Sequence, residues 1–432
     1  MRRIICITFI LFVLSLTAFG GDNQVRRPFF DARSRQTYYA GPGRENRPAV
    51  DVKEVAIGYF GPSMLVPSPV EGPACGIIDS LARHKADSST PLGTGPQAGD
   101  PSTSLRASMW NAACLAIEEA NQAGGYKGLP LRLVAGWAEN PWGSGVTQIT
   151  RMVYVHNVWA IIGGIDGPST HLAEQVVAKA RLTLLSPVSS DRTANLANVP
   201  WMFSCLPQDH LQAPVLAEAI APCVENKPFV LVSAVDHDSH LFTVELIRHF
   251  VELRLAPFYH YEFDPRKGNV TELAQRIADT REEVLVLVAG GEASAHLIRA
   301  VREKGFAGRV FGGPCMGRRS FIEEAGKAAD GAVFPLLYAG SAASKSFEDK
   351  FVCRFGKQPD YLAAHTYDGV NLLIAAIRKA GLNRVRICDA VRELSPWQGV
   401  TGSIKWDPLG SNCRRVALGT IRNGRVLPVS QK

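Results

Sequence analysis

The chain has 432 residues, 46% of them hydrophobic and 20% charged, so it can bury a sizeable core and is not a disordered protein. More than one domain is expected at this length, because single cores stop growing near ~250 to 300 residues. Much of the formal net charge of +7 lies in the first 50 residues; the basic residues elsewhere are scattered among acids with no basic and aromatic stripe, which argues against a nucleic-acid footprint.

Arg2 and Arg3 precede the apolar run Ile4 to Ala18, and Ala18-Phe19-Gly20 places small residues at its end, the pattern of an export signal cleaved near Gly20. The run is shorter than the about 20 apolar residues that a membrane span needs. A soluble, exported chain is therefore expected. Cys6 has no small-residue box before it, which argues against a lipid anchor. Residues 21–51 follow as a basic leader, in which, over residues 21–50, Arg26, Arg27, Arg33, Arg35, Arg44 and Arg47 face Asp22, Asp31 and Glu45. With no apolar periodicity it is expected to be a disordered, solvated tether; approach to an anionic membrane surface is the alternative.

From Val52 onward short β-branched runs alternate with amphipathic stretches. Strands are expected at Val55 to Phe60, Leu131 to Ala135, Val158 to Ile162, Leu182 to Leu185, Phe229 to Ala234 and Val284 to Ala289. Helices are expected at Arg106 to Gln122, Val146 to His156, His171 to Ala180, Leu211 to Ala221, Leu241 to Leu253 and Ala293 to Lys304. Such alternation predicts an α/β fold with parallel sheets covered on both faces. In these sheets ligands sit beyond the carboxyl ends of strands. Between the first strand and first helix hangs Ser63 to Ser104, rich in Pro, Gly and Ser. A loop of this length in a compact domain is usually functional or disordered, and a lid is expected.

Two loops follow strand ends, Ile165 to Thr170 and Val188 to Thr193, and both should open onto one crevice. Gly163 and Gly164 let the backbone turn closely, while Ser169, Thr170, Ser189 and Ser190 offer hydroxyls and amides at helix starts. Free amides there favour an anionic group such as a carboxylate. Simple helix capping is the competing role of each hydroxyl.

Eight cysteines remain after the signal, irregularly spaced and without CxxC or CxxCH, so neither a zinc ribbon nor a haem site is indicated. Cys114 falls on an apolar helical face. Cys205 and Cys223 flank a predicted helix of roughly 20 Å, beyond disulfide reach. Disulfide pairing otherwise stays open.

The blocks "VAIGYFGP", "LAIEEANQAGGYKGLPLRLV", "VWAIIGGIDGPST" and "LTLLSPVSS", continued by "FVLVSAVDHD", "VLVLVAGGEASAHLIRAVREKGF", "HTYDGVNLLIAAIRKAG" and "TGSIKWDPLG", stand in an order that resembles the type I periplasmic solute-binding proteins of the branched-chain amino acid and amide class. The resemblance spans residues 52–425. It implies two Rossmann-like lobes, residues 52–206 with 336–400 and 207–335 with 401–432, joined by crossovers near Ser204 to Pro207, Phe334 and Pro335, and Gly399 to Gly402. Ligand would lie between lobes that close about this hinge.

Carried over by the resemblance, Ile165, Asp166, Gly167, Pro168 and Ser169 match one ligand-binding turn and Val188, Ser189 and Ser190 the other. On the opposite wall Asp236, His237, Asp238, Ser239, His240 and Leu241 stand where amino acid binders often carry Asp-x-x-Tyr-Gly, so the stacking tyrosine is missing. Pro314 and Cys315 replace a glutamate that commonly pairs with a ligand ammonium. Asp166, Asp238 or Glu292 would then supply negative charge, His240 a further polar contact, and Arg106 a receptor for a second acid. The function so implied is capture of a small polar organic molecule and its delivery to an ABC permease in the membrane, by a monomer needing no cofactor. Ligand sensing through a membrane receptor is the alternative.

Other chemistries fit less well. Asp236, His237, Asp238 and His240 are a compact set of metal-ligand types, yet a strand-end loop in an α/β fold is polar in any case, and no metal is assigned. Gly143 to Gly145 lacks the Gly-x-Ser-x-Gly spacing of a nucleophile elbow, and Gly163 to Gly167 lacks that of a dinucleotide loop. Without a nucleophile, base and orienter together, an exported enzyme is not expected. Trp110, Trp137, Trp142 and Trp201 are expected in core or hinge packing, with an aromatic ligand wall as the alternative.

Overall fold

The structure, a computed structural model, describes residues 39, 41–47, 49–62, 101–137, 141–225, 227–255, 258–267 and 269–429. The export signal, most of the leader and residues 63–100 of the expected lid lie outside the described residues.

Two parallel-centred sheets organise the chain. The first contains β1 (Val55–Phe60), β2 (Leu131–Gly136), β3 (Ala160–Gly163), β4 (Thr183–Ser186) and β5 (Met202–Pro207). With them alternate α1 (Pro101–Gln122), α2 (Val146–Tyr154) and α3 (Gly167–Ala180). The second contains β6 (Phe229–Ala234), β7 (Phe258–Phe263), β8 (Val284–Val288), β9 (Arg309–Gly312) and β10 (Val333–Leu336). Its helices are α4 (Asp209–Val224), α5 (His237–Glu252), α6 (Val270–Thr280), α7 (Gly291–Glu303) and α8 (Arg319–Ala325). The chain then adds α9 (Lys345–Phe355), α10 (Tyr361–Ala380), α11 (Arg384–Glu393), the hairpin β11 (Trp397–Gly399) and β12 (Gly402–Ile404), the short β13 (Ser411–Asn412), and β14 (Ala417–Arg422) with β15 (Arg425–Pro428).

Strand order is β13-β5-β4-β3-β1-β2 in the first sheet and β15-β14-β10-β9-β8-β6-β7 in the second. Pairing is parallel throughout the first sheet; in the second, β14 runs antiparallel to β10 and to β15. The composition of the central strands dictates this burial. β1 reads VAIGYF and β8 VLVLV, with every residue of both buried, as a strand covered on two faces requires. The period of two then sorts the second core. Val230, Val232, Leu285 and Leu287 pack on one face, while Phe229, Leu231, Val284 and Val286 pack on the other.

The chain passes from the first sheet to the second after Pro207 and returns after Leu336. The last passage differs from the one expected near Gly399 to Gly402, because Ser411 and Asn412 still pair with β5 and the second sheet is regained only at Ala417. Asn412 is held there by its amide, which donates to the Cys205 carbonyl at 2.7 Å. Behind the cleft these passages share a buried polar network. The Asp368 carboxylate accepts from Val400 N (2.8 Å), Thr401 N (2.9 Å) and Thr401 Oγ1 (2.6 Å). The Leu337 carbonyl accepts from Arg414 Nη2 (3.0 Å) and His365 Nε2 (3.2 Å).

Two further expectations are revised. α1 starts at Pro101, so the end of the proline-rich segment belongs to a helix. Residues 41–47, counted within the leader, dock on α11 instead of floating. Arg44 grips Asp389 through Nε (2.7 Å) and Nη2 (2.9 Å), and Asn383 Nδ2 donates to the carbonyls of Gly43 (2.8 Å) and Asn46 (3.0 Å). Charge density alone could not reveal an ion-pair partner so distant in sequence. Cys114 and Cys205 are both buried.

Candidate functional site

Each wall of the interlobe cleft is made where a helix starts just past a strand's carboxyl end. On the first wall, Gly163 and Gly164 have φ of 154° and 83°, backbone turns that a side chain would strain. They release the chain into α3. Asp166 is the N-cap, accepting from Ser169 N at 2.8 Å, and Ser169 Oγ in return accepts from Asp166 N at 3.3 Å and also from Ile165 N at 3.0 Å. This capping box consumes the Ser169 hydroxyl, and the residue is fully buried. After β4 the chain runs through Val188, Ser189 and Ser190. Ser189 is also buried, its hydroxyl accepting from Asp191 N at 3.4 Å, whereas Ser190 faces the cleft.

The second wall begins with Asp236, the N-cap of α5, which accepts from Ser239 N at 3.0 Å. Asp238 follows, and its Oδ1 accepts from Gly167 N of α3 at 2.9 Å, across the cleft. The amide expected to receive a ligand anion is thus taken by a carboxylate of the other lobe. Beyond β8 and β9 come Ala289, Gly290, Gly313, Pro314 and Cys315, then Arg318. The guanidinium Nε of Arg318 donates to Tyr361 Oη at 2.9 Å, its only side-chain hydrogen bond among the described residues.

These elements enclose a cavity of about 220 Å³, to which Asp166, Ser190, Leu206, Asp238, Arg318 and Tyr361 contribute. A wider depression of about 1000 Å³ adjoins it at Tyr361, between Tyr338 to Lys345, Gln358 to Tyr361 and Asn423 to Leu427. It lies away from the converging strand ends of the first sheet, and the smaller cavity is the better candidate for a bound molecule.

Electrostatics divide the cavity. Burial, reinforced by the charge of Asp166, pushes the Asp238 carboxyl up to about 7 despite the Gly167 hydrogen bond. Burial works against the Arg318 charge, yet the surrounding Cys315, Tyr361 and Asp360 outweigh it and hold the guanidinium above its ordinary value. It stays a cation. Burial also pushes the Cys315 thiol up, so that group is a neutral part of the lining. At the rim, burial alone would raise Asp191, but hydrogen bonds from His171, Thr193 and His237 overcome it and hold the carboxyl well below the usual range.

The residues singled out from sequence therefore separate. Asp166, Ser190 and Asp238 meet at the cavity, and Gly167 touches it through its amide. Ser169 and Ser189 lie behind the wall, where capping and packing hold them. His240 and Glu292 are exposed on α5 and α7 and do not line the cavity. Arg106 lies in the first turns of α1, with its side chain outside the described residues. Arg318 and Tyr361 were missed. Trp110, Trp137 and Trp201 pack on Tyr59, Phe60 and Tyr39 with ring centroids 5.0, 5.3 and 4.8 Å apart, Trp142 is exposed, and none of the four lines the cavity.

Comparison with known proteins places this cleft in context. A family model described as periplasmic binding protein matches residues 93–425. An amino acid binding protein of Pseudomonas aeruginosa is 22% identical over 324 residues, which is 73% of this chain and 85% of that one. The branched-chain amino acid transporter substrate-binding protein LivJ of Streptococcus pneumoniae, in complex with isoleucine, superposes with a TM-score of 0.70 at 18% identity, covering 87% of this chain and all (100%) of that one. A solute-binding protein of an ABC transporter from Rhodopseudomonas palustris, in complex with 3,4-dihydroxybenzoic acid, gives a TM-score of 0.72 at 14% identity, with 88% and 97% covered.

Proposed function

The chain belongs to the periplasmic binding protein family, and from that premise we propose that it captures a small carboxylate-bearing organic molecule between its lobes and hands it to an ABC permease. Family members are solute-binding proteins, and nothing is turned over in this reading: binding energy shifts an open ensemble to the closed one. Residence outside the cytoplasm, reached through a signal cleaved near Gly20, belongs to the same proposal, as does action as a monomer.

The observation that carries it is the cavity of about 220 Å³ with Arg318 at one side and Asp166 and Asp238 at another. The volume lies below the roughly 300 to 1,000 Å³ of drug-sized sites, which favours a small ligand. A carboxylate of the ligand meets the guanidinium of Arg318, to which no carboxylate among the described residues is bonded. An ammonium, where the ligand has one, meets Asp238 and Asp166. Relatives are found with isoleucine and with 3,4-dihydroxybenzoic acid, and both carry the carboxylate that this arrangement selects.

Isothermal titration of the purified protein with leucine, isoleucine, benzoate and 3,4-dihydroxybenzoate tests the reading. One class is expected to bind 1:1 and to raise the melting temperature, as any ligand of the native state alone must. No heat and no shift from any carboxylate, with nothing co-purified in native mass spectrometry, would overturn it.

A further inference from the structure

At the rim of the cleft three side chains converge that capture of an organic acid does not use. His171 projects from α3 and Asp191 from the loop after β4, both on the first lobe, while His237 opens α5 on the second. His171 Nε2 lies 3.0 Å and His237 Nε2 2.9 Å from the same oxygen, Asp191 Oδ2. The three donor atoms lie within 4.8 Å of one another.

We propose that His171, Asp191 and His237 form a binding site for a divalent transition-metal ion, zinc by its donor chemistry, that latches the two lobes across the mouth of the cleft. Two imidazole nitrogens and one carboxylate oxygen are a borderline donor set that suits zinc; calcium and magnesium demand mostly oxygen. Tetrahedral bonds of about 2.0 to 2.1 Å put neighbouring donors roughly 3.3 Å apart. The observed His–Asp separations of 2.9 and 3.0 Å need to open by only a few tenths of an ångström, while the two imidazole nitrogens, within 4.8 Å of each other, draw together by small rotations of the two rings.

The surroundings prepare those atoms. The second oxygen of Asp191 accepts from Thr193 N (2.7 Å) and Thr193 Oγ1 (2.6 Å), which leaves Oδ2 as the one oxygen turned to the histidines. Glu174 Oε2 stands 3.8 Å from His171 Nδ1, too long for a hydrogen bond, and puts a negative charge on the far side of the imidazole. The two rings are nearly perpendicular at 87°, so they turn nitrogens toward a common point and do not stack. Gly167 makes the approach possible, since a Cβ there would sit 2.5 Å from Asp191 Oδ2 and 2.7 Å from His237 Cδ2. The His237 side chain is 42% exposed, which leaves a fourth position for water. Without metal, the imidazoles hydrogen-bond to Asp191, with Thr193 Oγ1 also 2.9 Å from His171 Nε2.

Because the donors come from both lobes, the complete set exists only when the cleft is closed. Zinc therefore favours the closed form, and by linkage it raises affinity for the organic ligand by the factor by which that ligand raises affinity for zinc.

The test uses the chelator-stripped protein and metal alone, and so stands apart from the identity of the organic ligand. Zinc titrated calorimetrically is expected to bind 1:1, cobalt to show the intense visible absorption of a four-coordinate ion, and small-angle scattering to report compaction on zinc addition. His237→Ala, at an exposed side chain that folding can spare, is expected to weaken zinc at least tenfold and abolish compaction. Asp191→Asn is expected to do the same, with its melting curve checked in chelator, while His249→Ala, at the far end of α5, changes neither. Absence of zinc binding, or binding and compaction that persist in His237→Ala, overturns the proposal.

Discussion

The two walls of the cleft share one construction and end with opposite characters. On the first, the polar groups at the helix start are spent largely on the helix itself: Asp166 and Ser169 cap α3 reciprocally, so Asp166 reaches the cavity as a capping carboxylate, and Ser189 is buried behind Ser190. On the second, Asp236 caps α5 without a reciprocal side chain, and Asp238 in the first turn of α5 and Arg318 at the start of α8 face the cavity free of their own helices. The topology fixes where a ligand sits, but the capping chemistry decides which wall holds charge that its own helix does not use. A hydroxyl-rich strand end is therefore weak evidence of recognition unless its hydroxyls escape their own helix.

The sharpest way to break that contrast is to remove the cation. Arg318→Met should lose at least a hundredfold in affinity for any carboxylate ligand, since hydrogen bonds to a charged group are worth about 1.5 to 3 kcal/mol each and 1.4 kcal/mol is tenfold. Folding should hold, because Nε to Tyr361 is the side chain's single hydrogen bond among the described residues. Titration calorimetry measures the first and a melting curve the second. An undiminished affinity would place the recognition charge elsewhere.

Asp238→Asn sharpens the comparison within the second wall. Asparagine keeps an oxygen for Gly167 N while removing the charge. An amino acid ligand should weaken about tenfold, as expected for the loss of one charged hydrogen bond, whereas an aromatic acid without an ammonium should bind as before. Equal losses for both classes would mean that Asp238 serves only to join the lobes.

These residues also mark where the sequence was and was not legible. The first wall could be placed because Gly163 and Gly164 follow an unbroken apolar strand, a local signal, but that Asp166 and not a ligand takes the Ser169 amide is a matter of local geometry. Arg318 lies beyond a short 3-10 turn, Pro314–Gly317, with no helical period to show which of Arg318 and Arg319 faces inward. Tyr361, its partner, is 43 residues on and reaches it only through tertiary packing. Among the strands, β1, β6 and β8 announce themselves as apolar runs, while β7 reads FYHYEF and is largely exposed at a sheet edge. The β14–β15 hairpin carries a local signal that the sequence reading passed over: Asn423 and Gly424 have φ of 49° and 70°, the paired positive values that an Asn-Gly turn supplies.

The hinge network serves both walls alike, and its pH response separates hinge effects from wall effects. Burial, with the Arg414 charge second, pushes His365 down to about 3, against about 6.5 in an unfolded chain. As pH falls below about 6.5 the unfolded chain takes up a proton that the native one refuses, so stability declines toward pH 3, by at most about 1.4 kcal/mol per unit. Above pH 7 the residue contributes no slope. Denaturant midpoints of the protein and of His365→Gln at pH 7.5 and 5.5 should show a smaller acid-side loss in the variant. The same loss in both would exclude His365 as its source.

The smallest effect expected is also the closest test of the contrast, because it compares two adjacent serines of the first wall. Ser190 lines the cavity, and its backbone carbonyl accepts from Asp209 N at 2.9 Å, a bond that a change of side chain leaves in place. Ser190→Ala should therefore weaken ligand by roughly fivefold, the worth of one net hydrogen bond of about 1 kcal/mol, with little change in melting temperature. Ser189 contributes only a long 3.4 Å bond to Asp191 N from within the wall. Ser189→Ala should lower the melting temperature slightly and leave the dissociation constant unchanged. Calorimetric titration of both variants with the same carboxylate decides the matter. If Ser189→Ala weakens binding as much as Ser190→Ala, the first wall acts as one hydrogen-bonded surface, and its hydroxyls contribute to recognition in spite of their burial.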